Sequence, residues 1–244
     1  ANRKFSKFTL PLQGGFDGHN IFDANKTAMN NNAVKREMDD DTAQGGTSGP
    51  TVSAYRKAVD IMGSKSDVEI QLLALPGIRN PAVTDYAISA VEGRFDAMLV
   101  MDIEERDQFN TVITSSVQNP HVLNTVADFK NRALDTSFAA AYFPDVTVTD
   151  PSTGGLVQVP PSVAVLGAYS LNDRLGHPWF APAGFTRGAL SSVESPAVKL
   201  NRTNLDDLYD ADINPITAFP GTGLAVWGQK TLLQRASALD RVNV

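Results

Sequence analysis

Cysteine is absent from this chain of 244 residues, and histidine occurs only three times. The absence of cysteine excludes disulfides, cysteine nucleophiles and thiolate zinc sites, while it leaves the redox compartment undecided. Long apolar runs are missing as well, since the longest, at 70–75 and 97–101, are far shorter than the roughly 20 residues that cross a bilayer. The chain also begins without an initiator methionine or an apolar signal core, so we expect a fragment that itself binds no membrane.

Basic clusters are also missing. The chain has 21 Lys and Arg against 27 Asp and Glu, which gives a formal net charge of −6. Because proteins bind phosphate backbones through clustered Lys and Arg, nucleic acid is not an expected partner. With 42% hydrophobic residues, the composition is that of a globular protein with one large domain or two small ones.

Two apolar runs with a helical pattern between them predict a strand–helix–strand unit. The runs at 68–75 and 95–103 have the length and continuity of strands that are covered on both faces. Between them, Asn80 is a typical N-cap, Pro81 suits the first helical position, and Gly93 is a plausible end. We therefore expect two adjacent, parallel, central strands.

The rest of the chain continues this alternation. We predict further helices at 23–38, 50–63, 124–134, 160–171 and 205–209, further strands at 8–12, 138–143, 146–149 and 198–200, a turn at 150–155, and short strands joined by tight turns at 213–227. The amides of Asn30, Asn31 and Asn32 weaken the first of these helices. The predicted fold class is α/β, with a central mixed, partly parallel sheet flanked by helices, and short C-terminal strands that begin a second domain.

The residues that could carry catalysis do not form a recognisable site. His19, His121 and His177 are candidate bases or ligands by type, but none has an evident partner, and each is interpreted as a structural loop residue. The segment 46–49 (GTSG) has the wrong spacing for a nucleophile elbow. The segment 220–223 (PGTG) lacks the further glycine or Gly-Lys-Ser/Thr of a nucleotide loop, which favours a turn.

Two acidic clusters are candidate metal sites by residue type. Residues 39–41 (DDD) form one, and Asp210, Asp212 and Asn214 in the other reproduce the opening of a calcium loop. Pro215, however, stands where that loop requires glycine, and no closing Glu follows, which favours a solvated acidic face at a helix end. The sequence thus predicts no catalytic residue, no cofactor and no metal site.

Trp179 and Trp227 are predicted to be packing anchors rather than ligand-binding residues. Each lies in a Pro- and Gly-rich stretch where a large ring could cover the edge of the core. If fully buried, replacing either by Ala should cost about 3–5 kcal/mol of stability.

Seven segments, taken in order, resemble the contractile tail sheath family of bacteriophages. They are LPLQGGFDG (10–18), LLALPGI (72–78), residues 95–103, AAAYFPDVTVTDP (139–151), VPPSVAVLGAYSLNDR (159–174), HPWFAPAG (177–184) and INPITAFPGTGLAVWGQKTL (213–232). The last three are the most specific, and together the segments cover the chain from end to end.

This resemblance implies an α/β sheath core domain at 1–210, with a variable polar segment at 19–49, and the truncated start of the C-terminal sheath domain at 211–244. It implies a virion protein that assembles in the host cytoplasm into hexameric rings, stacked helically around the tail tube above a baseplate, and that contracts to drive the tube through the host envelope. A giant, phiKZ-like phage is expected. The family implies no enzyme activity, and this fragment, which lacks the family's terminal arms, is expected to be a monomer.

Two other readings stay open. One is the sheath of a tailocin or a type VI secretion machine, which genomic neighbours such as terminase and portal genes would distinguish from a phage. The other is an α/β enzyme with a site assembled from distant residues. Its mark would be a concave pocket that gathers two or more titratable groups with perturbed pKa values.

Overall fold

The computed structural model describes residues 29–43, 45–114, 118–177, 179–221 and 223–242. The chain divides into two compact units, residues 1–54 and 55–244. The predicted strand at 8–12, His19 and the first part of the predicted helix at 23–38 lie outside the described residues.

The first unit contains helix α1 (Asn31–Met38), a short 3-10 turn (Gly46–Ser48) and the beginning of helix α2 (Pro50–Gly63). The side chain of Asn30 accepts the backbone N–H of Ala33 at 3.0 Å and so caps α1. The asparagine run was expected to weaken this helix, but its first residue, Asn30, stabilises the helix as the N-cap. An amide that competes for backbone hydrogen bonds in a helix interior stabilises the helix at the cap.

Glu37 supplies a second, non-local cap in this unit. Its buried carboxylate accepts the backbone N–H groups of Thr51 and Val52 at 2.9–3.0 Å, which satisfies the first turn of α2. Gly49 lies against the same carboxylate, and a Cβ added there would be 2.3 Å from Glu37 Oε2. This close approach explains why the residue before Pro50 is a glycine.

Within its described residues, the second unit contains eight strands and most of the helices. The remaining helices are α3 (Pro81–Arg94), α4 (Val122–Asn131), α5 (Pro161–Leu175), α6 (Gly184–Arg187) and α7 (Arg202–Tyr209). The strands are β1 (Leu72–Ala74), β2 (Met98–Asp102), β3 (Ala139–Phe143), β4 (Val146–Thr149), β5 (Leu156–Val159), β6 (Val193–Pro196), β7 (Ile213–Phe219) and β8 (Gly223–Val226).

The strands form two sheets. The larger has the order β1-β2-β3-β7-β8, in which the first four strands are parallel and β8 is antiparallel to β7. The smaller sheet, β5-β4-β6, is antiparallel throughout. Helices flank the mixed sheet, so the predicted α/β class is confirmed.

Side chains alternate between two cores on the faces of the larger sheet. In β3, for example, Ala139, Ala141 and Phe143 belong to one core, whereas Ala140 and Tyr142 belong to the other. The first core is completed by apolar residues of α2, α3, α4 and α7, and the second by α5, β4 and β6. Because both faces of β2 and β3 are covered, their sequences read as continuous apolar runs.

The strand–helix–strand prediction is confirmed in type and pairing, because β1 and β2 are adjacent and parallel and Asn80 caps α3. Its extent and position need correction. β1 covers three residues and lies at the edge of the sheet rather than in its centre. Phe95 is not in a strand: it ends α3 with a left-handed φ of 61° and is 75% exposed.

Other differences concern the smaller sheet. No strand forms at 198–200, where Val198 and Leu200 instead pack against the core as partly buried side chains. The strand nearest to these residues is β6, which ends at Pro196. The sequence analysis did not predict β5. The turn at 150–155 is confirmed as the connection between β4 and β5. After the predicted domain boundary at residue 210, β7 pairs with β3 in the larger sheet.

Candidate functional site

The carboxyl ends of the parallel strands are where α/β sheets usually place their functional groups. In this protein the segments after β1, β2 and β3 bring four charged side chains to that edge. They are Arg79, Asp102, Glu105 and Asp145. We call these four residues the edge cluster.

Asp102 is the last residue of β2, and its carboxylate is buried. One oxygen accepts the backbone N–H of Ser162 at 2.8 Å, and the other accepts the Ser162 hydroxyl at 2.8 Å and the N–H of Gly77 at 2.9 Å. Burial raises the pKa of Asp102, whereas these hydrogen bonds and the nearby charge of Arg79 lower it. The carboxylate therefore joins the loop after β1 to the first turn of α5.

Arg79 lies between the other two carboxylates. Its guanidinium pairs with Glu105 Oε2 at 3.1 Å and donates a hydrogen bond to Asp145. Asp145 also accepts a hydrogen bond from the side chain of Gln158 on β5 at 3.0 Å. Because Asp145 connects β3 to β4, this pairing fastens the smaller sheet to the edge of the larger one.

The edge cluster holds three carboxyl groups around one guanidinium. Burial raises the pKa of Glu105 to about 7, with the charge of Asp145 adding to the effect and that of Arg79 opposing it. Both Glu105 and Asp102 are therefore perturbed, which is one of the two marks expected of an enzyme site. The other mark is a concave pocket that these groups would line. Asp102 and Glu105 are instead buried against donors of the protein itself.

The candidate histidines have local roles where they are described. His121 caps α4, with its Nδ1 accepting the N–H of Asn124 at 3.3 Å. The ring of His177 stacks on Trp179, with 4.5 Å between the ring centroids. The structure does not bring these two histidines to the edge cluster.

The suspected calcium loop is used for packing. Asp212 pairs with Lys230 Nζ at 2.9 Å, while the buried amide of Asn214 donates to the carbonyls of Ala141 and Lys230. Asp210 is an exposed residue at the C-terminal cap of α7, as the alternative interpretation predicted. Among the described residues, no group of three or more His, Cys, Asp or Glu is placed to hold a metal ion.

The other acidic cluster and the two glycine-rich segments contact residues nearby in the chain or form turns. In the other acidic cluster, Asp39 pairs with Lys35 and Asp40 accepts the N–H of Thr42 at 3.0 Å. Residues 46–48 of the first glycine-rich segment form the 3-10 turn. The second segment lies at the turn between β7 and β8, although Thr222 falls outside the described residues.

The two tryptophans predicted to be packing anchors are not fully buried, so the condition for a cost of about 3–5 kcal/mol is not met. Trp179 is 66% exposed and Trp227 is 46% exposed. Trp227 packs on the rings of Phe185 and Phe219, with centroid distances of 5.2 and 4.5 Å. These rings cover one another at the surface rather than filling the core.

The sequence analysis missed every member of the edge cluster. A signal was available for Asp102, since a charged residue that ends a continuous apolar strand of a parallel sheet lies at the carboxyl edge. No pattern could have paired Arg79 with Asp145, which are separated by 66 residues.

The geometry defines an α/β scaffold whose buried charges bind its own segments together. In the part of the chain that the structure describes, no helix is both long and apolar enough to span a bilayer. Residues 48–232 match the family model of the phage tail sheath protein central domain. The chain belongs to this family.

Two curated relatives of this chain are tail sheath proteins of bacteriophages. The tail sheath protein of Enterobacteria phage T4 is 24% identical over 203 residues, which are 80% of this chain and 31% of that protein. The tail sheath protein of Vibrio phage KVP40 is 43% identical over 86 residues, which are 35% of this chain and 13% of that protein. The chain thus spans at most about a third of the relatives it matches.

Two solved structures that are similar to this chain are of contractile sheaths. The contracted helical sheath of the anti-feeding prophage is similar with a TM-score of 0.53 and 22% identity, over 80% of this chain and 46% of that chain. The contracted PVC sheath complex of an extracellular contractile injection system is similar with a TM-score of 0.52 and 26% identity, over 72% and 43% of the two chains.

Proposed function

We propose that this chain is part of the subunit of a contractile phage tail sheath. The sheath assembles in the host cytoplasm around the tail tube, above the baseplate, and contracts in the virion to drive the tube through the host envelope. The observation that carries the proposal is the family match over residues 48–232, supported by the T4 sheath alignment over 80% of the chain.

The interior of the second unit suits a subunit that moves as a rigid body. Asp102 fastens α5 to the end of β2, and the Arg79–Asp145 pair fastens the smaller sheet to the larger one. A buried ion pair that loses one partner leaves an uncompensated charge, so such pairs resist partial opening. We infer that the domain keeps its fold while its contacts with neighbours change.

We propose a structural rather than an enzymatic role. Support comes from the burial of Asp102, Glu105 and Asp145, whose described contacts are with protein donors of the same chain.

We also propose that the chain divides into a core domain at 1–210 and a further domain that begins at residue 211, as the sequence predicts.

Electron microscopy of the protein at the full length encoded by its gene tests the function. We expect cylinders with regular striations, in which subunits repeat helically. Protein that stays unassembled over a wide range of concentration and salt, both alone and with its tube protein, would contradict the proposal.

A second candidate is the sheath of an injection machine without a capsid. The resemblance to the anti-feeding prophage and PVC sheaths favours it. Particles purified from the producing cells and labelled with an antibody against this chain distinguish the two. Labelled tails joined to capsids indicate a phage, whereas labelled tails alone indicate a tailocin-like machine.

A further inference from the structure

A tight turn at residues 107–111 is organised around the side chain of Asp107. Asp107 Oδ1 accepts the backbone N–H of Phe109 at 2.9 Å and that of Thr111 at 2.8 Å. The N–H of Asp107 donates in turn to the carbonyl of Thr111 at 2.9 Å. The N–H of Asn110 also donates to the carbonyl of Asp107 at 3.1 Å, so four hydrogen bonds within five residues fix the backbone. Asn110 takes the left-handed φ of 61° that the reversal needs.

Residues of helix α4 form hydrogen bonds with this turn and with the residue that precedes it. The amide of Asn124 donates to the carbonyls of Asp107 at 2.8 Å and Gln108 at 3.3 Å. The preceding residue, Arg106, donates its N–H to Thr125 Oγ1 at 3.0 Å and pairs with Asp128 at 2.9 Å. The turn is therefore ordered within the isolated subunit.

Phe109 lies at the tip of this fixed turn with 85% of its surface exposed. This is the largest exposure of any large hydrophobic residue in the described ranges. Leu123, which precedes Asn124 in α4, is 52% exposed. A rigid backbone that presents an aromatic ring to solvent has the features of a preorganised binding anchor, because little freedom is left to lose on association.

The charges around the tip indicate what kind of surface it fits. The carboxylate of Asp107 is occupied by backbone N–H groups, and Arg106 is paired with Asp128 and Glu104. The neutral N–H groups do not cancel the negative charge of Asp107, so the aromatic ring lies beside a carboxylate and not beside an unpaired cation. Such a tip suits an uncharged apolar depression on a protein rather than a phosphate or an anionic lipid surface.

We propose that Phe109 inserts into an apolar depression on a neighbouring copy of the full-length subunit. This inference rests on the proposed sheath function. A helical array joins its subunits by heterologous contacts, in which a knob on one copy meets a different surface on the next. The similar anti-feeding prophage structure is such a helical sheath.

The test compares assembly of the full-length protein with that of three variants, using sedimentation and electron microscopy over a concentration series. Phe109→Ser removes the anchor, and Asn124→Ala releases the turn while leaving the ring in place. Phe95→Ser is the matched control, because Phe95 is also exposed but lies outside the turn. Thermal melting followed by circular dichroism confirms that each variant is folded, and Phe109→Leu serves if the serine variant is not.

We expect Phe109→Ser to raise the concentration needed for assembly at least tenfold and Asn124→Ala to raise it less, while Phe95→Ser stays within twofold of the natural protein. Assembly of folded Phe109→Ser at the natural concentration would overturn the anchor and leave the sheath function standing. An equal loss in Phe95→Ser would also overturn it, because any exposed ring would then matter. Failure of the natural protein to assemble would instead overturn the proposed function.

Discussion

Asp102 and Ser162 are 60 residues apart in the chain, yet the carboxylate of Asp102 accepts both the backbone N–H and the hydroxyl of Ser162 at 2.8 Å. Ser162 lies in the first turn of α5, where Pro160 at the N-cap makes no side-chain cap hydrogen bond. The end of β2 therefore supplies the cap that the local sequence lacks. This cap adds to the apolar packing that holds α5 on the sheet.

Replacing Asp102 by Ala should lower the free energy of unfolding by about 3 kcal/mol, because two buried donors on Ser162 and one partly buried donor on Gly77 lose their acceptor. Urea unfolding followed by circular dichroism measures the change. The exposed Asp41 is the control, and Asp41→Ala should stay within about 0.5 kcal/mol of the natural chain. Equal midpoints for the two variants would show that the cap contributes nothing.

Glu105 should make stability depend on pH between about 4.5 and 7. Its pKa is raised from 4.5 to about 7 by burial, so in this range the folded state holds a proton that the unfolded state releases. The free energy of unfolding should therefore fall as pH rises through this window. The raised pKa of Asp102 acts in the same direction.

Glu105→Gln removes this titration. From pH 5 to pH 7 we expect the natural chain to lose about 2 kcal/mol relative to this variant, at about 1.4 kcal/mol for each pKa unit. Urea titrations at three pH values measure the difference, and the exposed Glu69→Gln serves as control. Parallel curves for Glu105→Gln and the natural chain would mean that Glu105 is ionised throughout.

The buried hydroxyls of Tyr142 on β3 and Tyr169 on α5 are hydrogen-bonded to each other. Replacing either Tyr by Phe should cost about 1–2 kcal/mol, because the remaining hydroxyl stays buried without its partner. The double variant should cost clearly less than the sum of the two single changes. A double-mutant cycle from urea unfolding gives the coupling, and strictly additive losses would rule out an energetic role for this bond.

Trp179 should contribute little to stability despite its size. Because the ring is 66% exposed, Trp179→Ala should cost less than about 1 kcal/mol, whereas Phe143→Ala in the core should cost about 3–5 kcal/mol. Trp227, which is 46% exposed and packs on two other rings, should lie between them. A loss at Trp179 as large as that at Phe143 would contradict the exposed position of its ring.

The sequence alone determined the fold class and the family. Asn80 and Pro81 mark the start of α3, the apolar run up to Asp102 marks β2, and the polar turn at 150–155 separates two strands, because caps, turns and periodic burial act within a few residues. The ordered series of segments identified the sheath family, which the match over residues 48–232 confirms.

Only the tertiary structure decided where these elements lie and what the polar residues contact. The edge position of β1 depends on strand order, and the exposure of Trp179 depends on which side of its loop meets the core. The partners of Asp102 are 25 and 60 residues away, and the Arg79–Asp145 pair spans 66. Side-chain contacts over such distances form only after the backbone has brought both ends to one sheet edge, so local patterns carry no trace of them.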